Sequence, residues 1–276
     1  MKQKPLLACT ELSAAGLSFS NRALDNSKNE GNMILSFPDR QMKQTEKHLE
    51  ELKKKFPTAP EYLTEILLIQ RDYGTVSNTR LSERIGVSKP AVTQAIKRLK
   101  RLGFVNQDLY GSIEMTPQGR ILAAGMLKRH YLIEHMLIHC LDFPWEKSDD
   151  EARRLQDDIS EALTSHLYSW FGEPDTCPHG NPLPGTLREK ELLNAPRITD
   201  APVDQDLELV RITEEGEAIE GLLKFCHTHL LHPGKVFTVA GKSENAGVSI
   251  QCCGEDAFEM PWEFAKYLCY IRKATD

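Results

Sequence analysis

The sequence predicts a mostly α-helical chain that carries a small β domain at its C-terminal end. Two capped amphipathic helices, joined by a tight turn and followed by a hairpin, occupy residues 77–115. Longer segments with a helical apolar period fill residues 117–171. Beyond Pro202 the pattern changes to short apolar, β-branched runs bounded by turn residues, the mark of strands. A length of 276 residues allows two or three small domains.

Taken in order, residues 1–41 are rich in Ser, Asn and Gly and hold no sustained period, so they are expected to be disordered or a non-native extension. Residues 43–55 are charged and helix-prone, a lead-in helix broken by Pro57. A helix starting near Pro60 carries Tyr62, Leu63, Ile66, Leu67 and Ile69 as its apolar set, and Gly74 ends it. Ser77 caps the next helix, Leu81 and Ile85 form its buried face, and Gly86 closes it in a left-handed conformation. Ser88 caps the helix after that, with Pro90 in the first turn where its missing N–H costs nothing. Val92, Ile96 and Leu99 are its buried stripe, and Gly103 stops it. A hairpin follows, with strands at 104–107 and 112–115 and a tip at 108–111. This is a winged helix-turn-helix, spanning residues 42–116.

Thr116 and Pro117 open a long helix to about Leu141. Ser148-Asp-Asp-Glu151 reads as a capping box that starts another helix, running to about Phe171. Ile121, Leu122, Met126, Leu132, Met136 and Leu137 exceed what one small domain can bury, which predicts a dimerisation domain over 117–172. Residues 173–204 form a Pro-rich linker. Strands at 207–212, 235–240, 248–252 and 269–271, a helix over 215–228 and a helical turn at Pro261 predict a small SH3-like barrel over 205–276.

The formal net charge of −6 argues by itself against a nucleic-acid partner, but its distribution argues for one. Residues 42–129 hold 16 Lys and Arg against 9 Asp and Glu, a net of +7, whereas residues 130–276 hold 13 against 27, a net of −14. The positive excess sits with the helix-turn-helix, whose second helix is placed to enter a major groove. Gln94 suits a bidentate contact to adenine, and Thr93 a base edge or a thymine methyl. Lys89, Lys97, Arg98, Lys100 and Arg101 suit phosphates, with Ser88 and Pro90 at the helix tip. Double-stranded DNA is therefore the expected partner, and a dimer would present two such helices to a two-fold site.

No apolar run approaches the ~20 residues of a membrane-spanning helix. Leu6-Leu-Ala-Cys9 loosely resembles a lipoprotein cleavage box, but the apolar stretch before it is too short for a signal peptide. Seven cysteines without regular spacing predict reduced thiols and a cytoplasmic protein.

From about Pro60 onward the chain resembles the diphtheria-toxin-repressor (DtxR/MntR) family of metal-dependent bacterial repressors. The resemblance rests on Ser88-Lys-Pro-Ala-Val-Thr-Gln94, Thr116-Pro-Gln-Gly119, Arg129-His130-x-x-x-Glu134, Asp150-Glu-Ala152 and Cys177-Pro-His-Gly-Asn-Pro-Leu-Pro184. It implies a homodimer with a winged helix, a helical dimerisation domain and an SH3-like (FeoA-like) domain. It also implies repression of metal-uptake genes when Fe(II) or Mn(II) is bound.

The resemblance places one metal site at Glu61, Arg153, Gln156 and Asp157, and a second at His130, Glu134 and Asp149, completed by Glu217 or Glu220. In the first, Arg153 stands where the family supplies a ligand, and a guanidinium has no lone pair to give. Gln156 is a weak ligand, which leaves Asp157 and Glu61. That primary site is therefore expected to bind no ion as the family does. Arg153 could instead take the ion's place by pairing with Glu61 and Asp157, giving metal-independent operator binding. A further alternative is reuse of the fold for metal buffering or catalysis, although no phosphate-binding loop or Ser/His/Asp signature is present.

Other constellations read more simply. Cys177-x-His179 is expected to belong to a rigid connector. His135 and His139 suit a core or dimer interface. His227, His229 and His232 suit either a helix C-terminus or a metal. Cys252 and Cys253 face opposite sides of a strand and do not chelate together.

Overall fold

In the computed structural model, residues 49–108, 111–252 and 256–273 are described. The expectation for residues 1–41, the start of the lead-in helix, the wing tip at 109–110 and Cys253 lie outside them. Residues 49–55 are helical. Helix α1 (Ala59–Tyr73) buries Tyr62, Leu63, Ile66, Leu67, Leu68 and Ile69 and ends at Gly74. Helix α2 (Asn78–Ile85) is capped by Ser77, whose Oγ accepts the Arg80 N–H at 3.2 Å. Gly86 at φ 74° turns the chain in the left-handed region that glycine adopts without a Cβ clash. Helix α3 (Lys89–Arg101) buries Val92, Ala95, Ile96 and Leu99.

Strands β1 (Val105–Asn106) and β2 (Glu114–Met115) are shorter than expected. Side chains hold the rest of the wing. Gln107 Nε2 donates to Asn78 Oδ1 at 3.0 Å and to the Gly111 carbonyl at 3.1 Å, and Lys100 Nζ donates to the Gln107 carbonyl at 2.7 Å.

Helix α4 (Pro117–Leu141) is the spine of the molecule. Leu122, Ala123, Met126, Leu127 and Tyr131 join the core of the winged helix, while Ile133 and Leu137 join Ala152 in a second cluster. The single helix expected over 148–171 is two: α5 (Ser148–Leu155) and α6 (Glu161–Trp170). Ser148 is not a cap, because its hydroxyl donates to the Trp145 carbonyl at 2.9 Å. Ser160 is one: its Oγ accepts the Leu163 N–H at 3.2 Å and restarts the helix. Leu141, Leu163 and Trp170 leave large apolar side chains exposed.

The segment 173–204 is not a free tether. Cys177, His179, Asn181 and Leu183 are buried, and Arg197 bridges to Cys269. Helix α7 (Glu189–Leu193) docks Leu192 against Val210 and Cys269.

The β domain is a five-stranded antiparallel sheet. Its strands are β3 (Leu207–Ile212), β4 (Val236–Ser243), β5 (Gly247–Cys252), β6 (Phe258–Met260) and β7 (Leu268–Arg272), in the order β6-β5-β4-β3-β7. Bulges in β3 and β4 curl it around Leu209, Phe237, Val239, Ile250 and Leu268. Strand β6 escaped the sequence reading because it is three residues long and abuts Pro261. The helix expected over 215–228 is broken by Gly221, at φ 81°, into α8 (Glu214–Glu217) and α9 (Leu222–Thr228). The turn after Pro261 is α10 (Trp262–Ala265). Among the described residues, no helix is long and apolar enough to cross a membrane.

Candidate metal centre and nucleic-acid interface

Helix α3 presents Lys89, Pro90, Gln94, Lys97, Arg98, Lys100 and Arg101 on its exposed face, with Ser88 exposed at the tip. Three of the expected DNA contacts are already engaged within the fold. Thr93 Oγ1 accepts from Asn78 Nδ2 at 3.2 Å and donates to the Lys89 carbonyl at 2.9 Å. Arg98 donates to the Lys55 carbonyl and lies 4.6 Å over the Phe56 ring. Lys100 braces the wing. Lys89, Gln94, Lys97 and Arg101 are the residues left pointing outward for a groove.

The second expected cluster sits behind this unit, where α4, α5, the connector and α8 converge. His130 and Glu134 are one turn apart on α4, so both face the same way. His130 Nε2 lies 2.9 Å from Glu134 Oε1 and 3.0 Å from Asp149 Oδ1. From the connector, His179 Nδ1 lies 3.4 Å from Glu134 Oε2 and 3.6 Å from Glu217 Oε2. The connector reaches so far in because Gly180, at φ 90°, runs against β3; a Cβ there would stand 2.1 Å from the Val210 carbonyl oxygen. Asn181 then donates to the Ile212 carbonyl at 2.8 Å and to Glu217 Oε1. Glu214 and Glu217 both line the centre, and Tyr131 donates to Glu214. Glu220, the other carboxylate the sequence allowed, is exposed and lies outside it.

These groups are all out of water: Glu134 and His179 are 0% exposed, and His130 is 3%. Burial pulls the His130 pKa down, but the carboxylates of Asp149 and Glu134 outweigh it and hold it at about 10. Burial favours the neutral Glu134, yet His179 and His130 bring its pKa down to about 2. Burial likewise opposes ionised Asp149, and His130 and Arg153 hold it far below the usual range. Glu217 and Glu214 move the other way: burial raises both, aided by neighbouring carboxylates.

The donors fit a divalent cation. Both oxygens of Glu134, His179 Nδ1 and Glu217 Oε2 are buried without a hydrogen bond, a cost of roughly 1–3 kcal/mol per group that an ion would relieve. Three sets of donor atoms each lie within 4.8 Å of one another: His130–Glu134–Asp149, Glu134–Cys177–His179 and Asp149–Glu214–Glu217. Imidazole with carboxylates suits Mn(II), Fe(II) or Zn(II).

The first expected cluster is different. Asp157 is exposed and paired with Lys53 Nζ at 3.1 Å. Glu61 is exposed, and Gln156 is the C-cap of α5. Arg153 does not join Glu61 to Asp157 as expected. Its Nη2 bonds Asp149 Oδ1 and Oδ2 at 3.1 and 3.3 Å, and its Nη1 lies 3.6 Å from Glu65 Oε1. The physical reason is position: Arg153 is one turn after Asp149 on the same helix face, and Lys53 already neutralises Asp157. Glu65 was not singled out in the sequence. It also accepts from Arg84 Nε at 2.8 Å, linking α2 to α5.

Among the remaining histidines, His135 and His139 stack on each other and meet Phe171 at a tilt, and His135 Nε2 bonds the Thr176 carbonyl at 2.7 Å. His227 and His232 stack on Trp145. Neither group joins a metal-capable set among the described residues. Cys177 and His179 lie on the connector as expected, and both are buried with donor atoms within 4.8 Å of a Glu134 oxygen, a grouping the sequence reading did not foresee. The signal available in the sequence was a Cys-x-His flanked by prolines and glycine, which fix its backbone, but its carboxylate partners lie 43 and 38 positions away.

Comparison with known proteins agrees with this layout. Residues 56–113 match the iron dependent repressor N-terminal DNA binding domain, and residues 116–185 match the iron dependent repressor metal binding and dimerisation domain. The iron-dependent repressor IdeR of Mycobacterium tuberculosis (strain H37Rv) is 33% identical over 217 residues, covering 75% of this chain and 94% of that protein. The diphtheria toxin repressor of Corynebacterium diphtheriae is 32% identical over 128 residues, 46% of this chain and 57% of that one. Among solved structures, T. acidophilum IdeR superposes with a TM-score of 0.62 at 26% identity, covering 78% of this chain and 97% of that one. A manganese-dependent transcriptional repressor in complex with manganese superposes at 0.68 and 24% identity, covering 78% and 100%.

Proposed function

The chain belongs to the iron-dependent repressor family, and on that footing we propose that it is a homodimeric, metal-responsive transcriptional repressor of metal-uptake genes. It acts on DNA in the cytoplasm, binding a palindromic operator when Mn(II) or Fe(II) is held. It is a regulator and not an enzyme. The observation that carries this reading is the buried donor set of His130, Glu134, Asp149, His179 and Glu217, in which both Glu134 oxygens, His179 Nδ1 and Glu217 Oε2 lack a hydrogen bond, behind an exposed basic recognition helix.

His130, Glu134 and Asp149 would hold the ion, with Glu214 and Glu217 supplied by the β domain. A bound cation supplies the positive charge that lets several buried carboxylates stay ionised side by side. The remaining work belongs to the protein. Arg153 fixes both Asp149 oxygens, and through Glu65 and Arg84 it ties the centre to α2 of the DNA-binding unit. Arg153 thus orients a ligand and does not replace the ion, in the manner of outer partners at metal sites. On α3, Gln94 reads adenine, Lys89, Lys97 and Arg101 meet phosphates, and Ser88 and Pro90 set the helix tip against the backbone. Leu163, Trp170 and Leu141 supply the apolar face for the second protomer.

Operator binding measured by fluorescence anisotropy, with Mn(II) or Fe(II) and then with chelator, tests the reading. Binding should appear with metal, disappear with chelator and be lost in His130→Ala. Equal binding under all conditions would refute it.

A further inference from the structure

We infer that the last turn of α1 is a brace that fixes the winged helix at one angle to the β domain. Within it, Asp72 positions the recognition helix for the spacing of its operator, touching neither DNA nor metal. Three consecutive side chains carry the inference, each gripping a different element beyond the winged helix. Arg71 Nη2 donates to the Pro182 carbonyl of the connector at 2.5 Å and lies 3.5 Å from Glu189 Oε1 on α7. Asp72 Oδ1 accepts from Arg211 Nη2 on β3 at 2.5 Å. Tyr73 donates its hydroxyl hydrogen to Glu215 on α8. Successive residues on a helix point about 100° apart, so the three grips spread around the helix end and resist rotation as well as tilt.

The Asp72–Arg211 pair is the middle of the brace. Its side chains are 4% and 2% exposed. Desolvation offsets much of the attraction in a pair so deeply buried, and what it supplies is geometry. Arg211 is held from behind as well, because its Nε donates to Asn181 Oδ1 at 2.5 Å. The elements gripped are stiff. Gly180 lets the connector lie directly on β3, and Gly216 presses α8 onto Tyr267, where a Cβ would stand 2.6 Å from the Tyr267 Cβ. The brace meets α1 at its C-terminal end, whereas the Arg153–Glu65 pair meets it near its middle. Two attachments about 10 Å apart along one helix define its direction, which a single one cannot.

An angle imposed on α1 is an angle imposed on α3, because Ile66, Leu81, Val92 and Ile96 share one core. In a two-fold dimer that angle sets both the distance and the twist between the two recognition helices. One base pair more or fewer between half-sites displaces a half-site by about 3.4 Å and turns it by about 34°. A braced pair of helices fits one separation, and a pair free to rock fits several.

The inference rests on reading the chain as a metal-dependent, operator-binding dimer, and the test separates the two. Full-length wild type with Mn(II) first selects its half-sites from a random duplex pool. Affinity is then measured by anisotropy on three duplexes: the selected separation, one base pair more and one base pair fewer. Wild type should prefer the selected separation by roughly tenfold, the scale of one wrong base pair. Asp72→Asn should bind all three duplexes nearly alike while holding as many Mn(II) ions per protomer as wild type. Tyr73→Phe keeps the ring that carries the Arg80 guanidinium, 3.8 Å from its centroid, and loses only a hydroxyl. It should narrow the preference to about threefold, the worth of one hydrogen bond. A wild type indifferent to separation, or variants that lose affinity equally on all three duplexes, would overturn the brace and leave the function standing. Wild type that selects no half-site with metal present would overturn the function itself. Tyr73 is 41% exposed, so its variant decides the matter even where Asp72→Asn fails to fold.

Discussion

At His130 a proton and a metal ion compete for one place. Its pKa of about 10 means that the imidazole is protonated across the neutral range when no ion is bound. Each proton displaced on loading should weaken apparent metal affinity about tenfold per unit fall in pH. Isothermal titration with Mn(II) at pH 6.5, 7.5 and 8.5 should show that slope and release of at least one proton. The same shift affects stability without metal. A raised histidine pKa contributes stability that is fully present below its ordinary value near 6.5 and is lost as pH climbs through about 10. Thermal melts in chelator should therefore fall in Tm between pH 7 and 10, and added metal should flatten that decline. Individual residues were legible in the sequence where spacing is local. His130 and Glu134 at i, i+4 announce a shared face, and Asp149 follows by family position. His179 did not announce itself, because its partners Glu134 and Glu217 come from a helix far upstream and a helical turn far downstream.

At the level of elements, ion pairs run from the recognition unit to the metal centre. Arg84 on α2 holds Glu65 on α1, which faces Arg153 on α5, which holds Asp149 beside His130 on α4. Glu65 is 8% exposed, so removing its charge takes a buried carboxylate partner from Arg84 and leaves Arg153 with Asp149. Glu65→Gln should cost roughly 1.5–3 kcal/mol of stability in denaturant melts. It should also weaken metal-dependent operator binding without changing the number of ions bound. Equal operator affinity with intact fold would show that the pairs are structural only. Most elements were readable because their caps are explicit: Ser77, Ser88 and Thr116 each bond the expected backbone N–H. The errors arose where two signals compete. Ser148 and Ser160 both resemble caps, and only the second serves as one, because the hydroxyl of Ser148 is taken by Trp145.

For the whole molecule, two surfaces must work together. Lys89, Lys97 and Arg101 point outward from α3, and phosphate contacts make binding fall steeply with salt, by about 0.9 in the log–log slope for each contact. Lys97→Ala should reduce that slope by roughly 2 in a dimer, one contact for each copy, with little change in sequence preference. On another face, Trp170 is 58% exposed at the end of α6, beside an exposed Leu163. An apolar patch of this kind marks an interaction site. Trp170→Asp should shift the sedimentation coefficient from dimer to monomer and abolish tight operator binding, leaving the melting of the monomer fold close to unchanged. The split of charge between the two halves was visible in composition, and it foretold which end meets DNA. The closing of the connector over the centre was not, since Pro-rich composition describes a stiff segment equally well whether it is docked or free.

That closure has a kinetic corollary. Glu134 and His179 have no exposed surface, so no ion reaches or leaves them without a local opening of the elements that cover them, residues 177–183 among them. Exchange must wait for that opening, at a rate set by local unfolding and not by diffusion. A repressor sealed in this way averages over brief swings in supply: once charged it stays committed after the pool outside has fallen, and it relaxes on its own clock.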